Sequence, residues 1–598
     1  MPLRIATLRW ITALAAATIL ITEILSLFHA IHKPAIAIAW LITLPALLLT
    51  PALHLRIAFT RPQLFPTAAA VAVTVMVALI GWTAALSPPN SSDTMSYHLP
   101  RVLHWMQNNS VEFFPTSYLN LIMLQPAAEY IMLHAYVLSG ADTFSNFFQF
   151  IAYIGCILGV SSVAAAYGLN ANAQATAAIF CATLPNAILQ ASGAKNDLIL
   201  ACFLVCAAVF ALRWLETKDN TDLAFLGLAM GAAFCTKGTA YLFAPPLLAA
   251  ILPVRQWLRA GIAIAVGIIL LNAPQYTRNL DLSGSPLGFD SAHADGQFRW
   301  RVEHFGWKPT LSNALRHTTE QMGGRRPEWN QGVYDTVLSI HKRLGINPED
   351  PDTTWRWAEY KPPVNANHEA NANNKWHLLI FLLAIPLCRG RGLNYAFGVV
   401  TAFVLVCAYL KWQPYFSRLH LPLFVAMSPV AAMAIARIPL TIPHVVIGAI
   451  LVSNARLAVT ENWTRPLEGP RSLLRQSRND AYFNDIGQWN NRESYLQAVA
   501  ATASSGCSLV GIDTSQNHVQ YPFQILLRQT MPSVRFTEVG VKNPSRKYAK
   551  AATAKPCVVL CPDCLSKPEL TSPYESEYGP PIALGSFLLF SKTDPGNN

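Results

Sequence analysis

The chain has 598 residues, 52% of them hydrophobic and only 13% charged, with a formal net charge of +11. Soluble domains carry roughly 25% charged residues, so a string of ordinary soluble domains is excluded and over half the chain is expected in hydrocarbon. The positive balance does not read as a nucleic-acid footprint, because the basic residues sit in short loops between apolar runs, with no basic stripe interleaved with aromatics.

A membrane span needs roughly 20 mostly apolar residues. The candidates are Leu8–Phe28, Pro34–Leu53, Thr67–Leu86, Thr143–Gly168, Ala173–Gln190, Asp197–Leu215 and Asp222–Thr239. They continue with Tyr241–Leu252, Trp257–Pro274, Trp376–Cys388, Asn394–Leu410, Leu419–Ala436 and Leu440–Ala458. That is about thirteen, two of them short. The first run lacks a small-residue cleavage site and is read as an uncleaved helix.

Loop charge gives the orientation. Arg4, Arg9, Arg56, Arg61, Arg213, Lys218, Arg255, Arg259, Arg389 and Arg391 all fall on one side, which the positive-inside rule makes cytoplasmic. Segments 87–142 and 275–375 and the chain beyond Ala458 then lie outside. In segment 87–142, Pro100 opens a short helix whose Val102, Trp105 and Met106 are expected toward the membrane. Leu119–Leu138 carries Gln125, Pro126, Glu129 and His134, and is read as a helix in the interface, with a polar-sided span as the alternative.

Residues 1–458 thus form a transmembrane domain, 459–506 a partly helical linker, and 507–598 a small α/β domain. In the last, Ser508–Ile512, Val534–Val541, Val558–Leu560 and Phe587–Phe590 read as strands and Val519–Gln529 as a helix. Of eleven cysteines, seven lie in or beside apolar runs. Cys507, Cys557, Cys561 and Cys564 form an even set that suits disulfides in an exported segment; the C-x-x-C spacing of the last two also suits metal or redox work, and free thiols remain open. The Asn/Ala-rich stretch Asn365–Asn374 is the one low-complexity tract.

The polar residues that could carry chemistry cluster outside. Asp93 stands in Ser91-Ser92-Asp93-Thr94-Met95-Ser96-Tyr97-His98-Leu99-Pro100-Arg101, just past the third span. It serves either as a helix cap or, with Tyr97, His98 and Arg101 close by, as an ionised carboxylate that takes a proton or holds a metal. Asp197, in Lys195-Asn196-Asp197-Leu198, opens the sixth span on the same face, again as a cap or as a partner of Asp93. Lys237 falls inside a continuous apolar stretch, where a lysine is costly, unless a short turn lies there. Arg278 and Arg418 are outer-face arginines, suited to phosphate oxygens or to lipid headgroups. No nucleotide-binding motif or Ser–His–Asp arrangement stands out, so a cytosolic nucleotide donor is not expected.

In order, sidedness and spacing these features resemble the integral-membrane glycosyltransferases of the C superfamily (GT-C), in particular the bacterial protein-mannosyltransferase-like group. The resemblance covers roughly Leu8 to Ala458. It is carried by Asp93, Asp197, Thr236-Lys237-Gly238, Pro274 to Asn279 with Gly284-Ser285-Pro286-Leu287, and Arg418 to Pro422. It implies an all-α polytopic membrane enzyme in the cytoplasmic membrane that moves a sugar from a polyprenyl-phosphate donor to an acceptor hydroxyl on protein, lipid or glycan, with inversion. Asp93 would be the general base. His98, Tyr97 and Asp197 would orient the acceptor, and Arg101, Lys237, Arg278 and Arg418 would meet the lipid phosphate. A divalent metal (Mg, Mn or Zn) on Asp93 and Asp197 is the cofactor expectation. One departure is plain: many relatives have a Lys-Pro-Pro run where this chain reads Leu124-Gln125-Pro126-Ala127. A flippase of lipid-linked sugars would use the same basic residues, but should also show an inward polar site and repeat symmetry, and neither is visible. A non-catalytic scaffold would not need the polar cluster at Asp93.

Overall fold

The structure is a computed structural model that describes residues 2–54, 63–289, 300–355, 358–438, 440–486, 492–515, 518–549 and 554–592. Every apolar run singled out above is helical. In lipid a spanning segment must satisfy its own backbone, and a helix does so internally. Among the described residues seven helices are long and apolar enough to cross a membrane, including Leu3–Leu27, Leu64–Leu86, Asp197–Thr217 and Gly390–Tyr409. Shorter apolar helices cover Lys33–Leu48, Ala240–Ile251, Lys375–Leu387 and Leu421–Ile435.

Prolines move several boundaries. Pro185 splits the run at 173–190 into Ala171–Ala182 and Pro185–Ala191, because its ring cannot continue the preceding turn. Pro274 does not end its helix, which runs from Trp257 to Ser283. The stretch at 119–138 breaks at Pro126 into Asn120–Met123 and Ala127–Ser139. The second piece has 13 residues, too short to span alone. Ala127, Ala128, Tyr130, Met132 and Leu133 are fully buried, and Ile131, Ala135 and Leu138 form one partly exposed stripe at helical spacing. Nor do Val102 and Trp105 turn toward lipid; both are buried in the protein interior.

Helix Asp197–Thr217 sits at the centre, buried along nearly its whole length. Around it, lipid-facing stripes remain visible. Leu258, Ile262, Val266 and Ile269 recur at helical spacing and are 76%, 57%, 59% and 65% exposed, which only a hydrocarbon neighbour makes tolerable. Helices Asn220–Thr236 and Trp257–Ser283 touch backbone to backbone: a Cβ on Gly227 would collide with the Ala263 carbonyl, and one on Gly231 with that of Gly267. Small residues four apart permit this close approach.

The helix ends define two opposite poles. At one, Arg9 and Arg213 converge on Asp222 at 2.5 and 3.1 Å. At the other, helix Asp197–Thr217 begins, helix Asn220–Thr236 ends at Lys237, and the C-terminal region docks. That region holds a five-stranded sheet of order β2-β1-β3-β5-β4, with β1 Leu509–Ile512, β2 Arg535–Glu538, β3 Val558–Cys561, β4 Ile582–Leu584 and β5 Phe587–Ser591. β2, β1 and β3 are parallel; β5 and β4 are antiparallel. Helix Arg492–Ser504 packs on this sheet, Tyr495 against Phe587, so the α/β unit begins before Cys507. Disulfides join Cys507 to Cys557 and Cys561 to Cys564.

The domain is fixed to segment 87–142. The Gln107 amide exchanges two hydrogen bonds with the Phe536 backbone, at 2.6 and 2.9 Å. Glu538 accepts from Thr116 Oγ1 and the Ser117 N–H at 2.7 and 2.8 Å. Asp142 accepts from Arg478, Tyr482 and Tyr521.

Candidate active site

A cleft of about 2170 Å³ opens between the second of these poles and the α/β domain. Asp93, Tyr97, Lys195, Lys237 and Arg418 line its bundle side, and His518 and Asn543 its domain side.

Asp93 is placed by a local irregularity. Thr94–His98 form one wide π-helical turn before the helix Leu99–Asn108, which Pro100 starts. Such turns insert an extra residue and often mark functional positions. Here the turn sets Tyr97 OH 3.2 Å from Asp93 Oδ2, to which it donates. Arg418 Nη1 donates to the same oxygen. Burial pushes the Asp93 carboxyl up; Arg418, then Lys195 and His98, outweigh it and hold the group well below the usual carboxylate range. Tyr97, desolvated and beside Asp93, keeps its proton far above the ordinary phenol range.

Lys237 bonds Asp197 Oδ1 from the end of the neighbouring helix. Asp197 Oδ2 and Arg418 Nε are buried and have no partner among the described residues. Lys237 lines the cleft, while Asp197, an expected site residue, lies buried behind it and outside the lining.

Three residues expected in the site are elsewhere. His98 Nδ1 sits 2.7 Å from Glu129 Oε1, and Arg101 Nη1 is 3.3 Å from the same oxygen. Both side chains are fully enclosed, Arg101 lying over Trp105 and bonding the Ile122 and Leu124 carbonyls. Arg101 is the counter-ion of a buried carboxylate, and neither side chain lines the cleft. Arg278 forks onto Glu23 at 2.9 and 2.7 Å and takes Tyr130 OH at 3.0 Å, away from the cleft lining. In each case the counter-ion was far along the chain and unseen in the sequence.

The structure adds residues that sequence reasoning missed. Lys195 Nζ is 2.5 Å from Glu369 Oε1, and Arg465 bonds Glu369 Oε2. Burial raises the Glu369 carboxyl; Arg465 and Lys195 overcome that and keep it well below its normal range. Arg465 also donates to Ser192 Oγ and Asn90 Oδ1, both at 3.0 Å. His368 and Asp485 pair at 2.8 Å on the cleft wall. The only sequence signal was the Lys195-Asn196-Asp197 run itself.

As to a metal, the described residues contain no group of three His, Cys, Asp or Glu side chains placed to hold one. Asp93 and Asp197, the two expected ligands, each already face a cation.

The fold and the site define a multi-pass membrane protein with its polar centre at one end of the bundle. The family model described as dolichyl-phosphate-mannose-protein mannosyltransferase matches residues 125–274. Among solved structures, apo ArnT from Cupriavidus metallidurans superposes with a TM-score of 0.53 at 12% identity, covering 88% of this chain and 98% of that one. The same protein bound to undecaprenyl phosphate gives 0.51 at 11%, with the same coverages. The Archaeoglobus fulgidus oligosaccharyltransferase, crystallised with Zn and sulfate, gives 0.41 at 12%, covering 86% of this chain and 69% of that one. No curated protein matches the chain in sequence.

Proposed function

We propose that the protein is an inverting glycosyltransferase that moves a sugar from a polyprenyl-phosphate donor to an acceptor hydroxyl at the outer face of the cytoplasmic membrane, with the α/β domain outside. The observation that carries this reading is the Asp93–Arg418 pair on the wall of the open cleft. The undecaprenyl phosphate in the ArnT structure of the same fold supports the class of donor. The two disulfides of the α/β domain suit an oxidising, external compartment.

The chemistry follows from charge. A sugar phosphodiester brings one negative charge into a cleft lined by Lys195, Lys237 and Arg418. Arg418 lines the cleft and is paired there with Asp93, so the phosphate competes with Asp93 for it. Once the guanidinium turns to phosphate, Asp93 loses its main stabilising partner and becomes a stronger proton acceptor. The acceptor oxygen then attacks the anomeric carbon from the face opposite the phosphate. Its proton passes to Asp93, the carbon–phosphate-oxygen bond breaks, and the electron pair leaves with the lipid phosphate. Arg418 and Lys237 stabilise that departing charge; Tyr97 fixes the carboxylate that receives the proton.

The expected metal does not fit this donor set. Two carboxylates, each ion-paired with Arg418 or Lys237 and with Lys195 close to Asp93, make a poor cation site. No step is routed through one.

The test is transfer of labelled sugar from a panel of polyprenyl-phosphate sugars by purified protein, wild type beside Asp93→Asn. Turnover or slow hydrolysis of one donor, lost in the variant, supports the reading. Equal turnover by the variant, or no consumption of any donor with lipid phosphate still bound, refutes it.

A further inference from the structure

The Asn/Ala-rich tract that the sequence marks as low-complexity is the wall of the cleft beside Asp93. All seven residues from Asn365 to Asn371 line it. One branch of contacts runs from this tract to Asp93. His368 Nδ1 accepts the Ala370 N–H at 3.1 Å, which places the ring proton on Nε2. Nε2 donates to Asp485 Oδ1 at 2.8 Å. Asp485 Oδ2 accepts the Ser92 N–H at 2.7 Å, and Ser92 immediately precedes Asp93 at the start of the π-helical turn.

The other branch runs to Arg418. Its backbone N–H donates to the Ala370 carbonyl at 3.3 Å. Ser417 Oγ donates to the Ala372 carbonyl. One short stretch therefore holds both members of the Asp93–Arg418 pair from behind. The tract is itself anchored: Asn367 Nδ2 donates to the Leu457 carbonyl, and Asn186 and Gln190 donate to the Glu369 carbonyl.

We infer that His368 is a positioning residue of the transfer proposed above, fixing through Asp485 and Ser92 where the Asp93 carboxylate stands relative to Arg418. This rests on the glycosyltransferase reading. A carboxylate displaced by about 1 Å loses on the order of 100-fold in rate, while binding of the donor phosphate by Arg418 and Lys237 is left intact. The effect is therefore on kcat and not on the donor KM.

Two substitutions separate positioning from mere structure. His368→Gln keeps an N–H at the reach of Nε2; His368→Asn can still bond the Ala370 N–H but is too short for Asp485. Expected are a kcat lower by about 10- to 100-fold in His368→Asn, a donor KM within about threefold, and kcat restored to within about threefold in His368→Gln. In an Asp485→Ala background, already slow, His368→Asn should add no further loss, since both act through one contact chain. Hydrogen exchange of the peptide covering 91–98 should quicken in His368→Asn and not in His368→Gln. A His368→Asn enzyme as fast as wild type, a loss confined to KM, failure of Gln to restore the rate, or additive losses in the double variant would each overturn the inference while Asp93→Asn stays inactive. Wild type that consumes no donor would instead sink the glycosyltransferase reading, and this inference with it.

Discussion

Replacing Glu369 by glutamine tests the electrostatic frame behind the site. The Lys195, Glu369 and Arg465 side chains are 2%, 1% and 0% exposed. In Glu369→Gln, two cations face each other without an anion, and Arg465 cannot shed its proton. Breaking a buried ion pair by removing one partner costs about 3–5 kcal/mol, a large part of a typical net stability of about 5–15 kcal/mol. The exposed pair Arg492–Asp480, 46% and 40% exposed, gives the contrast: its loss in Asp480→Asn should cost at most about 1 kcal/mol. Lys195→Met should fall between, because Glu369 keeps Arg465. The assay is the thermal midpoint of detergent-solubilised protein, followed by aggregation and by tryptophan fluorescence. The predicted order of stability is wild type, Asp480→Asn, Lys195→Met, Glu369→Gln. A Glu369→Gln protein as stable as Lys195→Met would refute the reasoning, since it would mean that Arg465 is satisfied without the carboxylate.

Four further outcomes are expected. Arg418→Gln removes the cation that holds Asp93 down and leaves burial to push the carboxyl up; the acid limb of kcat/KM should move to higher pH and kcat should fall by about 100- to 1000-fold, and an unmoved limb would show that Arg418 does not govern Asp93. Turnover should survive excess chelator, and loss restored by Mg, Mn or Zn would show that Asp93 and Asp197 bind a cation after all. Gly231→Leu should lower the yield of folded protein sharply, because its side chain would meet the Gly267 backbone; unchanged yield and melting would mean that the two helices have room to part. Cys507→Ser removes the link between β1 and the start of β3 and should destabilise the α/β domain by about 2–4 kcal/mol, seen as faster limited proteolysis of that domain in the full-length protein.

The helical runs were legible because hydrocarbon leaves the backbone few choices, and the apolar content of each run is a local property. Their ends were less so. Pro185 and Pro126 broke stretches that hydropathy joined, whereas Pro274 was absorbed within a helix. Which of these happens depends on neighbouring packing, not on the proline. The sheet was readable from its β-branched and apolar runs except for β4, Ile582–Leu584, which is only three residues long.

The site was half legible for a related reason. A charge beside an apolar run is visible in sequence; its counter-ion is not. Arg101 and Arg278 gave the same signal as Arg418, yet Glu129 and Glu23 neutralise the first two away from the cleft. Arg418 and Lys237 are also paired, with Asp93 and Asp197, but both cations line the cleft themselves. Glu369 and His368 were visible only as members of an Asn/Ala-rich tract and Asp485 not at all, and only the fold shows them facing buried cations and the Asp93 turn. What separates a phosphate ligand from a structural arginine here is therefore whether its carboxylate partner can be exchanged for a substrate anion. On the proposed reading Arg418 is the residue on which both the donor and the base depend, so its substitution should alter rate and pH profile together where Arg101 or Arg278 would alter stability alone.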